Sequence, residues 1–549
     1  MSRLEQKDMS KMQKYDEIIA AMSRKEKLFH VLSPRVPKGS DEEIAEYLEK
    51  YPLGCAYIGE GNATEVGQIT ARYQKYSRRP ILFNMDIVWG PGKVLKDECT
   101  FFPAPMAVGA ADREDLTYQL GQATAMQGRE RGIHMTLAPI ADINLNIKSP
   151  IVNMRAFGDD FRHVLKHSSA FMRGVQDTGL MAATAKHFPG DGVDDKDQHY
   201  VTSINSLSRE EWFEQFGFVY SNLIEQGLDA VMSGHIALPW RHPAEEGSHL
   251  GPPPASLSPI ILNELLRKEL GFDGVIITDA MDMVGCVAHV PREELAFHLL
   301  SAGNDILLFA DEEVDYACLE RALEDGRLSE ERLHDAIRRI LRLKDKLGIL
   351  DETADYQMPE GKKEAHDKAA EEMAENSICV VRDVDNILPL PLEKGDKVLS
   401  VALRYGRNDP KFEYASDLIV KELEKRGLDV DFILNPELKD LRPIADRYKA
   451  IFMTINVGPQ GREGTILIKD VTLWAFWDYV FIRHPRCVVS SLGDPYKIGE
   501  RPDLKTYVNA FSPTPPSVRA LVKVWLGELE AKGKHPVSLE GFFDRQVEG

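Results

Sequence analysis

The feature that most constrains the fold is a regular alternation of short apolar runs with longer amphipathic stretches through about the first 350 residues. The runs are of strand length, and they span residues 28–33, 55–59, 81–86, 135–142, 182–187, 230–238, 275–279 and 306–310. The stretches between them carry apolar residues at three- and four-residue spacing, which is typical of helices with one buried face. These predicted helices span residues 41–50, 63–75, 113–131, 162–178, 208–225, 259–270 and 292–302.

This alternation predicts a parallel sheet, because each helix carries the chain back to begin the next strand in the same direction. Eight such units in about 350 residues favour a (β/α)8 barrel of the TIM type. A doubly wound open sheet is the structural alternative.

Polar residues cluster where the predicted strands end. Asp86, Asp142, His187 and Asp279 close the third, fourth, fifth and seventh runs, and His235 lies late in the sixth. A helix cap would explain any one aspartate, since Asp is favoured at that position. Barrel enzymes, however, build their active sites at the carboxyl ends of the strands. Five polar residues at the same end of successive strands therefore indicate a ligand site.

The loop after the fifth predicted strand holds a carboxylate two residues before a histidine, Asp197 and His199. Such a carboxylate can hold the imidazole and favour its charged form, which is the layout of a proton-transfer pair. A solvated acidic turn with a surface histidine is the alternative interpretation of this segment. Lys186, at the strand end, would offer an ammonium donor to a ligand or form an ordinary ion pair.

The first domain resembles the family 3 glycoside hydrolases, in the branch of NagZ-type β-N-acetylglucosaminidases. KHFPGDG at residues 186–192, with DQH at 197–199, resembles the KHFPGHG-x4-DSH signature of that family. GFDGVIITD at 271–279 resembles its nucleophile motif. LAPIADIN at 137–144, followed by RAFG at 155–158, is similar to its APVxDVN…RSFG segment.

By position, the resemblance implies that Asp279 is the nucleophile and His199 the general acid/base, with Asp197 orienting His199. It implies a substrate-binding set composed of Asp86, Asp142, Arg155, Lys186 and His187. The chemistry agrees, since a retaining glycosidase needs a carboxylate to attack the anomeric carbon and a proton donor for the leaving oxygen. Gly190 and Gly192 would give the loop of His199 its hinge freedom.

The chain departs from the family pattern at three places. Asp191 stands where the family has a second loop histidine, Trp89 has entered an element that lacks its acidic residue, and Gln198 replaces a serine. We expect the change at Gln198 to have little chemical consequence. Asp191 makes the loop strongly acidic, but the EF-hand pattern of a hard-cation site is absent, so we expect no metal and no cofactor.

The predicted domains are a catalytic barrel at residues 1–350, a charged connector at 351–375 and a doubly wound αβα sandwich at 376–549. The sandwich is predicted from β-rich runs at residues 377–381, 398–403, 430–434, 450–457 and 487–492. It has no GxGxxG after its first strand and no GKS/T loop, so nucleotide binding is not indicated. Glu463 is a candidate second acid from this domain, and a surface-loop glutamate is the simpler interpretation.

Composition narrows the choice of partners. The net charge of −20 argues against a nucleic-acid or anionic-membrane partner, because both need clustered Lys and Arg. The six cysteines include no CxxC pair, so neither a zinc site nor a disulfide framework is indicated. No apolar run approaches membrane-spanning length. We expect a cytoplasmic protein that acts on a small carbohydrate, and the resemblance leaves room for a homodimer.

The function expected from the sequence is a retaining exo-β-N-acetylglucosaminidase that removes terminal β-linked GlcNAc by double displacement. Three alternatives stay open. They are a glycoside phosphorylase that uses the same site, a β-glucosidase-type hexosidase, and a non-catalytic sugar-binding protein that has kept the barrel.

Overall fold

A computed structural model describes residues 3–246, 248–350, 355–404, 410–436, 444–457, 467–468 and 483–548. The chain forms two compact units. The first comprises Met1–Cys99, Gly121–Asp142 and Ser168–Lys363, and the second comprises Thr100–Leu120, Ile143–His167 and Glu364–Gly549. The second unit therefore draws two segments from the middle of the sequence. The predicted domain boundaries at residues 350 and 375 stay a prediction.

The described part of the first unit contains eight parallel strands that follow one another around a circuit of pairings. They are β1 (Leu32–Ser33), β2 (Cys55–Tyr57), β3 (Leu82–Met85), β4 (Met135–Thr136), β5 (Ala182–Phe188), β6 (Ala230–Ser233), β7 (Val275–Thr278) and β8 (Leu307–Leu308). Strands β2 to β7 pair in chain order, and β1 pairs with β8. Two short pairs lie outside this set, Gly61–Asn62 with Leu95–Lys96 and Ser203–Ile204 with Ile236–Ala237.

Single parallel bridges complete the circuit of pairings. Arg35 bridges to Tyr57 and so connects β1 to β2, and Ile277 bridges to Ile306 and so connects β7 to β8. Pairing therefore runs from each strand to the next and from the eighth back to the first. A ring of this kind has no edge strand, which separates it from the open-sheet alternative and is what the barrel hypothesis requires.

Helices follow the strands in alternation, as the amphipathic stretches predicted. The α-helices are α1 (Arg3–Ala20), α2 (Arg24–Val31), α3 (Asp41–Lys50), α4 (Ala63–Tyr76), α5 (Pro105–Ala111), α6 (Glu114–Arg129), α7 (Phe161–Gln176), α8 (Arg209–Trp212), α9 (Phe218–Glu225), α10 (Val284–Val287), α11 (Leu295–Ala302), α12 (Val314–Glu324), α13 (Glu330–Lys346), α14 (Lys362–Glu375), α15 (Pro410–Lys425), α16 (Lys497–Glu500) and α17 (Pro515–Trp525). Two π-helical segments are Phe213–Gly217 and Ile260–Glu269. The 3-10 turns are Pro91–Lys93, Asn153–Arg155, Ala255–Leu257, Arg292–Glu294 and Ala445–Arg447.

Local chemistry fixes several helix starts. Ser23, Ser40 and Ser208 each accept the N–H of the glutamate three residues on, and that glutamate's side chain accepts the serine N–H in return. This capping box satisfies donors that an α-helix otherwise leaves free in its first turn.

The predicted first strand, residues 28–33, is wrong over most of its length. Residues 28–31 are the buried last turn of α2, and only Leu32–Ser33 pair as a strand. The predicted fourth strand, residues 135–142, likewise pairs as a ladder only at Met135–Thr136. A short, mostly apolar run has too little periodicity to distinguish a buried helix turn from a buried strand or to mark where a strand ends.

Among its described residues, the second unit contains a six-stranded sheet. Its strands are β9 (Cys379–Asp383), β10 (Lys397–Arg404), β11 (Asp429–Leu434), β12 (Ala450–Asn456), β13 (Cys487–Ser491) and β14 (Thr506–Asn509). The spatial order is β9-β14-β13-β12-β10-β11, and only β9 runs antiparallel to its neighbour. The α/β fold class and the doubly wound layout are confirmed. Strand β14 was missed, because TYVN is too short to stand out in the sequence.

The core of this sheet is aliphatic and aromatic. The Phe452 ring stacks on Trp525 of α17 with ring centroids 4.7 Å apart, and both side chains are fully buried. Within the described ranges of the chain, no helix is both long enough and apolar enough to cross a lipid bilayer.

Candidate active site

Asp279 follows the last residue of β7 and is held by main-chain hydrogen bonds. Its N–H donates to the carbonyl of Ser233, at the end of β6, at 2.9 Å. Its Oδ1 accepts the N–H of Ala280 at 2.7 Å. Only 14% of the side chain is exposed, so the carboxylate is fixed in position yet still reachable.

His187, near the end of β5, lies between two carboxylates. Its Nδ1 is 2.7 Å from Oδ2 of Asp142, and its Nε2 is 3.9 Å from Oδ2 of Asp279. Because an ionised carboxylate only accepts, Nδ1 carries the hydrogen of this bond. Asp142 thereby sets the tautomer and the ring orientation of His187.

Asp142 makes all of its described contacts with protein donors. Its Oδ1 accepts the main-chain N–H groups of His187 at 3.0 Å and of Asp191 at 2.8 Å, and the side chain has no exposed surface. The sequence placed Asp142 among the sugar ligands. In the structure Asp142 supports His187 and the loop that follows β5, and its place in the substrate-binding set stays a prediction.

The carboxyl groups of this site are held in their charged form. Burial raises the pKa of Asp279, but the nearby imidazoles of His187 and His235, the Ala280 N–H and the Lys186 ammonium together lower it by more. Burial also raises the pKa of Asp142, but the charge and hydrogen bond of the His187 ring, together with the main-chain N–H groups of Asp191 and His187, lower it by more. Both pKa values therefore lie below the ordinary value of an aspartate. Asp279 is thus held as a carboxylate, which is the form of an aspartate that can act as a nucleophile.

Lys186 and Asp86 form an ion pair at the strand ends. The Lys186 Nζ lies 2.5 Å from Oδ1 of Asp86, and Lys186 is almost fully buried whereas 43% of the Asp86 side chain is exposed. Lys186 immediately precedes His187, so β5 delivers both side chains to the same edge of the ring. The ion-pair interpretation of Lys186 is thus realised, with one exposed member left to face solvent or a ligand.

Asp197 and His199 form the hydrogen-bonded pair that the sequence predicted. Oδ1 of Asp197 lies 2.6 Å from Nδ1 of His199 and also accepts the His199 main-chain N–H at 2.8 Å. Asp197 is nearly buried, whereas 28% of the His199 side chain is exposed. With Nδ1–H committed to Asp197, Nε2 is the nitrogen that can exchange a proton with a ligand.

Gln198 and Asp191 are buried residues that brace this loop from within. The Gln198 side chain donates to Oδ2 of Asp191 at 3.0 Å and accepts the main-chain N–H of His235 at 3.0 Å. Sequence reasoning treated Gln198 as inconsequential and left Asp191 without a role. The structure corrects this. The Gln198 amide can donate through its nitrogen to the Asp191 carboxylate and accept through its oxygen from the His235 N–H, which no carboxylate or aliphatic side chain could do.

The segment after β7 also contacts the loop of His199 through the main chain. The N–H of Val284 donates to the carbonyl of His199, and the N–H of Gly285 donates to the carbonyl of Gln198. A Cβ at position 285 would lie 2.7 Å from that Gln198 oxygen. Glycine is therefore required at 285 for the two loops to approach this closely.

Three further candidates occupy separate positions. Arg155 ends a 3-10 turn of the second unit, and its guanidinium donates to the carbonyl of Ile151 at 3.1 Å. Trp89 lies in the segment after β3, with the Lys93 ammonium 5.0 Å from its ring centroid. Glu463 lies outside the described residues.

Known proteins resemble this chain over most of its length. Residues 23–343 match the family described as the glycosyl hydrolase family 3 N terminal domain. The chain is 28% identical over 537 residues to a β-N-acetylglucosaminidase/β-glucosidase of Cellulomonas fimi, and the match covers 94% of each.

Two solved structures are similar to this chain over nearly its whole length. The structure of the β-glucoside phosphorylase BglX bound to 2FGlc matches with a TM-score of 0.86 at 28% identity, covering 98% of this chain and 97% of that one. A family 3 β-N-acetylglucosaminidase from Paenibacillus sp. str. FPU-7 matches with a TM-score of 0.82 at 25% identity, covering 96% and 100%.

Proposed function

This chain belongs to glycosyl hydrolase family 3, and we propose that it is a retaining exo-β-N-acetylglucosaminidase. The observation that carries the proposal is that the site holds two groups in different states, a carboxylate and an imidazole. Asp279 is a buried, ionised carboxylate fixed by the main chain, and His199 is a partly exposed imidazole backed by Asp197. These are the nucleophile and the acid/base that a double displacement requires.

In the first step, an Asp279 oxygen attacks the anomeric carbon and forms a glycosyl ester as the bond to the leaving oxygen breaks. His199 donates its Nε2 proton to that oxygen, and Asp197 stabilises the imidazolium beforehand through Nδ1. In the second step, the neutral imidazole removes a proton from water as the water oxygen attacks the anomeric carbon. Asp279 leaves as a carboxylate, and His199 regains its proton.

The remaining residues would bind and orient the sugar. The exposed Asp86 carboxylate and the Lys186 ammonium offer an acceptor and a donor to hydroxyl groups. His187, held by Asp142, directs its Nε2 toward the nucleophile and would contact a sugar hydroxyl close to the anomeric carbon. Arg155 stays in the proposed substrate-binding set on the strength of the family motif.

The preference for an N-acetylated sugar rests on the relatives. The Cellulomonas fimi protein is named for both N-acetylglucosaminide and glucoside activity, and the Paenibacillus protein for the former. Parallel assays with 4-nitrophenyl N-acetylglucosaminide and 4-nitrophenyl glucoside test this preference. A higher kcat/KM on the glucoside would overturn the proposed specificity and leave the two-step mechanism intact.

The mechanism is tested by trapping the covalent intermediate. A 5-fluoro-N-acetylglucosaminyl fluoride should inactivate the enzyme and add one sugar to the peptide that contains Asp279. The Asp279→Asn variant should remain unlabelled. A label on any other peptide would contradict the assignment of the nucleophile.

A glycoside phosphorylase is the second candidate, and one observation favours it. The proposed acid/base is an imidazole rather than a second carboxylate, and an imidazole repels an incoming phosphate less than a glutamate would. One structure similar over nearly its whole length is named a phosphorylase. The acidic loop works against phosphate entry. If turnover in phosphate buffer yields mainly sugar 1-phosphate, the phosphorylase replaces the hydrolase.

A further inference from the structure

A second cluster of ligand-type side chains lies in the second unit and uses none of the residues assigned to hydrolysis. It comprises Asp112, His163 and His167, whose closest donor atoms all lie within 4.8 Å of one another. Asp112 ends α5 in a left-handed conformation, with φ of 50°. His163 and His167 are four residues apart on α7 and so lie on one face of the helix.

Hydrogen bonding fixes the tautomer of His163. Its Nε2 lies 3.1 Å from the carbonyl oxygen of Gly109, which can only accept, so Nε2 carries the hydrogen. Nδ1 is left with its lone pair. This atom is buried without a hydrogen-bond partner among the described residues, and it lies 3.9 Å from Oδ1 of Asp112.

The same reasoning fixes His167. The Thr117 hydroxyl donates to the carbonyl of Arg113 at 3.1 Å, so at its 2.8 Å contact with His167 Nδ1 the hydroxyl oxygen accepts. Nδ1 therefore carries the hydrogen and Nε2 the lone pair. Nε2 is also buried without a hydrogen-bond partner in the described part of the chain, and it too lies 3.9 Å from Oδ1 of Asp112.

Two imidazole nitrogens with free lone pairs and a carboxylate oxygen thus lie within 4.8 Å of one another. The separations of 3.9 Å exceed hydrogen-bond length, so neither ring donates to Asp112. Buried hydrogen-bond acceptors that lack a donor are energetically costly, and a cation bound between them would remove that cost. We propose that Asp112, His163 and His167 bind a divalent transition-metal ion, with Zn²⁺ as the ion best suited to two imidazoles and one carboxylate.

The surroundings match those of a protein metal site. Ligating histidines characteristically donate their second N–H to a carbonyl or another fixed acceptor, as His163 and His167 do here. Ligands about 2.0–2.1 Å from a tetrahedral zinc ion lie about 3.4 Å apart, so each nitrogen, now 3.9 Å from Oδ1, would move about 0.5 Å closer to that oxygen. Asp112 is 11% exposed, so an ion can reach its carboxylate from solvent.

Two lysines are the competitors of the metal. Lys166 lies 2.6 Å from Oδ1 of Asp112, and Lys534 lies 2.9 Å from Oδ2. Neither ammonium hydrogen-bonds the free imidazole nitrogens within the described ranges. Lys166 is 30% exposed and can turn into solvent, so a bound ion would take Oδ1 and leave Oδ2 to Lys534.

The test is a zinc titration of the full chain after dialysis against a chelator, followed by calorimetry and thermal unfolding. We expect about one zinc ion per chain and a higher Tm, because a ligand that binds only the folded state stabilises it. The double variant His163→Ala/His167→Ala should lose both effects. His249→Ala, which removes an exposed histidine, is the matched control and should retain them.

Two milder variants keep the test decisive if the double variant does not fold. Thr117→Val removes the acceptor that orients His167 and should weaken zinc binding about 10- to 100-fold. Lys166→Met removes the competing ammonium and should tighten binding about 3- to 10-fold. The proposal is overturned if the wild-type chain binds no zinc, or if its affinity is unchanged in both of these variants.

Discussion

The side-chain amide of Gln198 donates a 3.0 Å hydrogen bond to the buried carboxylate of Asp191. This contact accounts for two departures from the family pattern at once, since each residue supplies the group that the other needs. Asp191 also accepts the Gly192 N–H and donates its own N–H to Asp142. The brace therefore links the loop of His199 to the support of His187.

Replacing Gln198 tests this brace. Gln198→Glu would place a second carboxylate against Asp191 and should lower the free energy of unfolding by about 3 kcal/mol, because it buries like charges. Gln198→Ala should cost about 1–2 kcal/mol, since it only leaves partners unpaired. Denaturant unfolding measures both, and the exposed Gln68→Glu serves as control. If Gln198→Glu is no less stable than Gln198→Ala, the two side chains do not form this bond.

Asp279→Asn should reduce kcat by at least about 10³-fold, because an amide cannot form the glycosyl ester. Asp282→Asn is the matched control, since Asp282 is a half-exposed carboxylate three residues further along the same loop. Stopped assays on the aryl N-acetylglucosaminide measure both variants. Equal losses would mean that the loop as a whole matters, and not the carboxylate of Asp279.

His199→Ala should affect substrates according to their leaving groups. Aryl glycosides with good leaving groups need little protonation, whereas an alkyl or sugar leaving group needs a full proton. The loss should be about 10²- to 10⁴-fold for the latter and much smaller for the former. A plot of log kcat/KM against leaving-group pKa would steepen in the variant. An unchanged slope would remove His199 from the acid role.

The burial of the Lys344 ammonium predicts that the stability of the protein depends on pH. Burial lowers its pKa from 10.5 to about 8, and its ammonium donates to the carbonyl of Pro80 and contacts His30. Between pH 8 and 10.5 the unfolded chain therefore binds more protons at this residue than the folded chain. The Lys344 contribution to the free energy of unfolding should rise across that interval and be lowest below it.

The comparison of wild type with Lys344→Met isolates this contribution from that of other groups. The difference in the free energy of unfolding, measured by urea unfolding at several pH values, should shift in favour of the wild type as the pH rises. A difference that is flat from pH 7 to pH 10.5 would show that Lys344 titrates normally in the folded protein.

The sequence was most informative where function is tied to the ends of strands. Lys186, His187 and Asp279 were located because a parallel strand ends where its apolar run ends, and Asp197 and His199 because they are close neighbours in the chain. The doubly wound sheet was recognisable from its longer runs, β10 and β12. Location in the cell and oligomeric state stay predictions.

What the sequence did not reveal depends on partners far apart in the chain. The burial of Asp142 and the bracing role of Gln198 follow from contacts that only the folded chain creates. The spacing of His163 and His167 was visible in the sequence, but their lone pairs are set by Gly109 and Thr117. No local sequence pattern indicates which ring nitrogen of a histidine carries the lone pair.

The absence of a side chain at Gly285 has a consequence for engineering. The proposed nucleophile and the proposed acid/base belong to separate loops, and a main-chain hydrogen bond from Gly285 to the carbonyl of Gln198 joins those loops. The distance between Asp279 and His199 therefore depends on a contact between main-chain atoms. Side chains of the proposed substrate-binding set can be exchanged to alter selectivity. Any residue larger than glycine at 285 would instead push the two loops apart and change the distance between the two proposed catalytic groups.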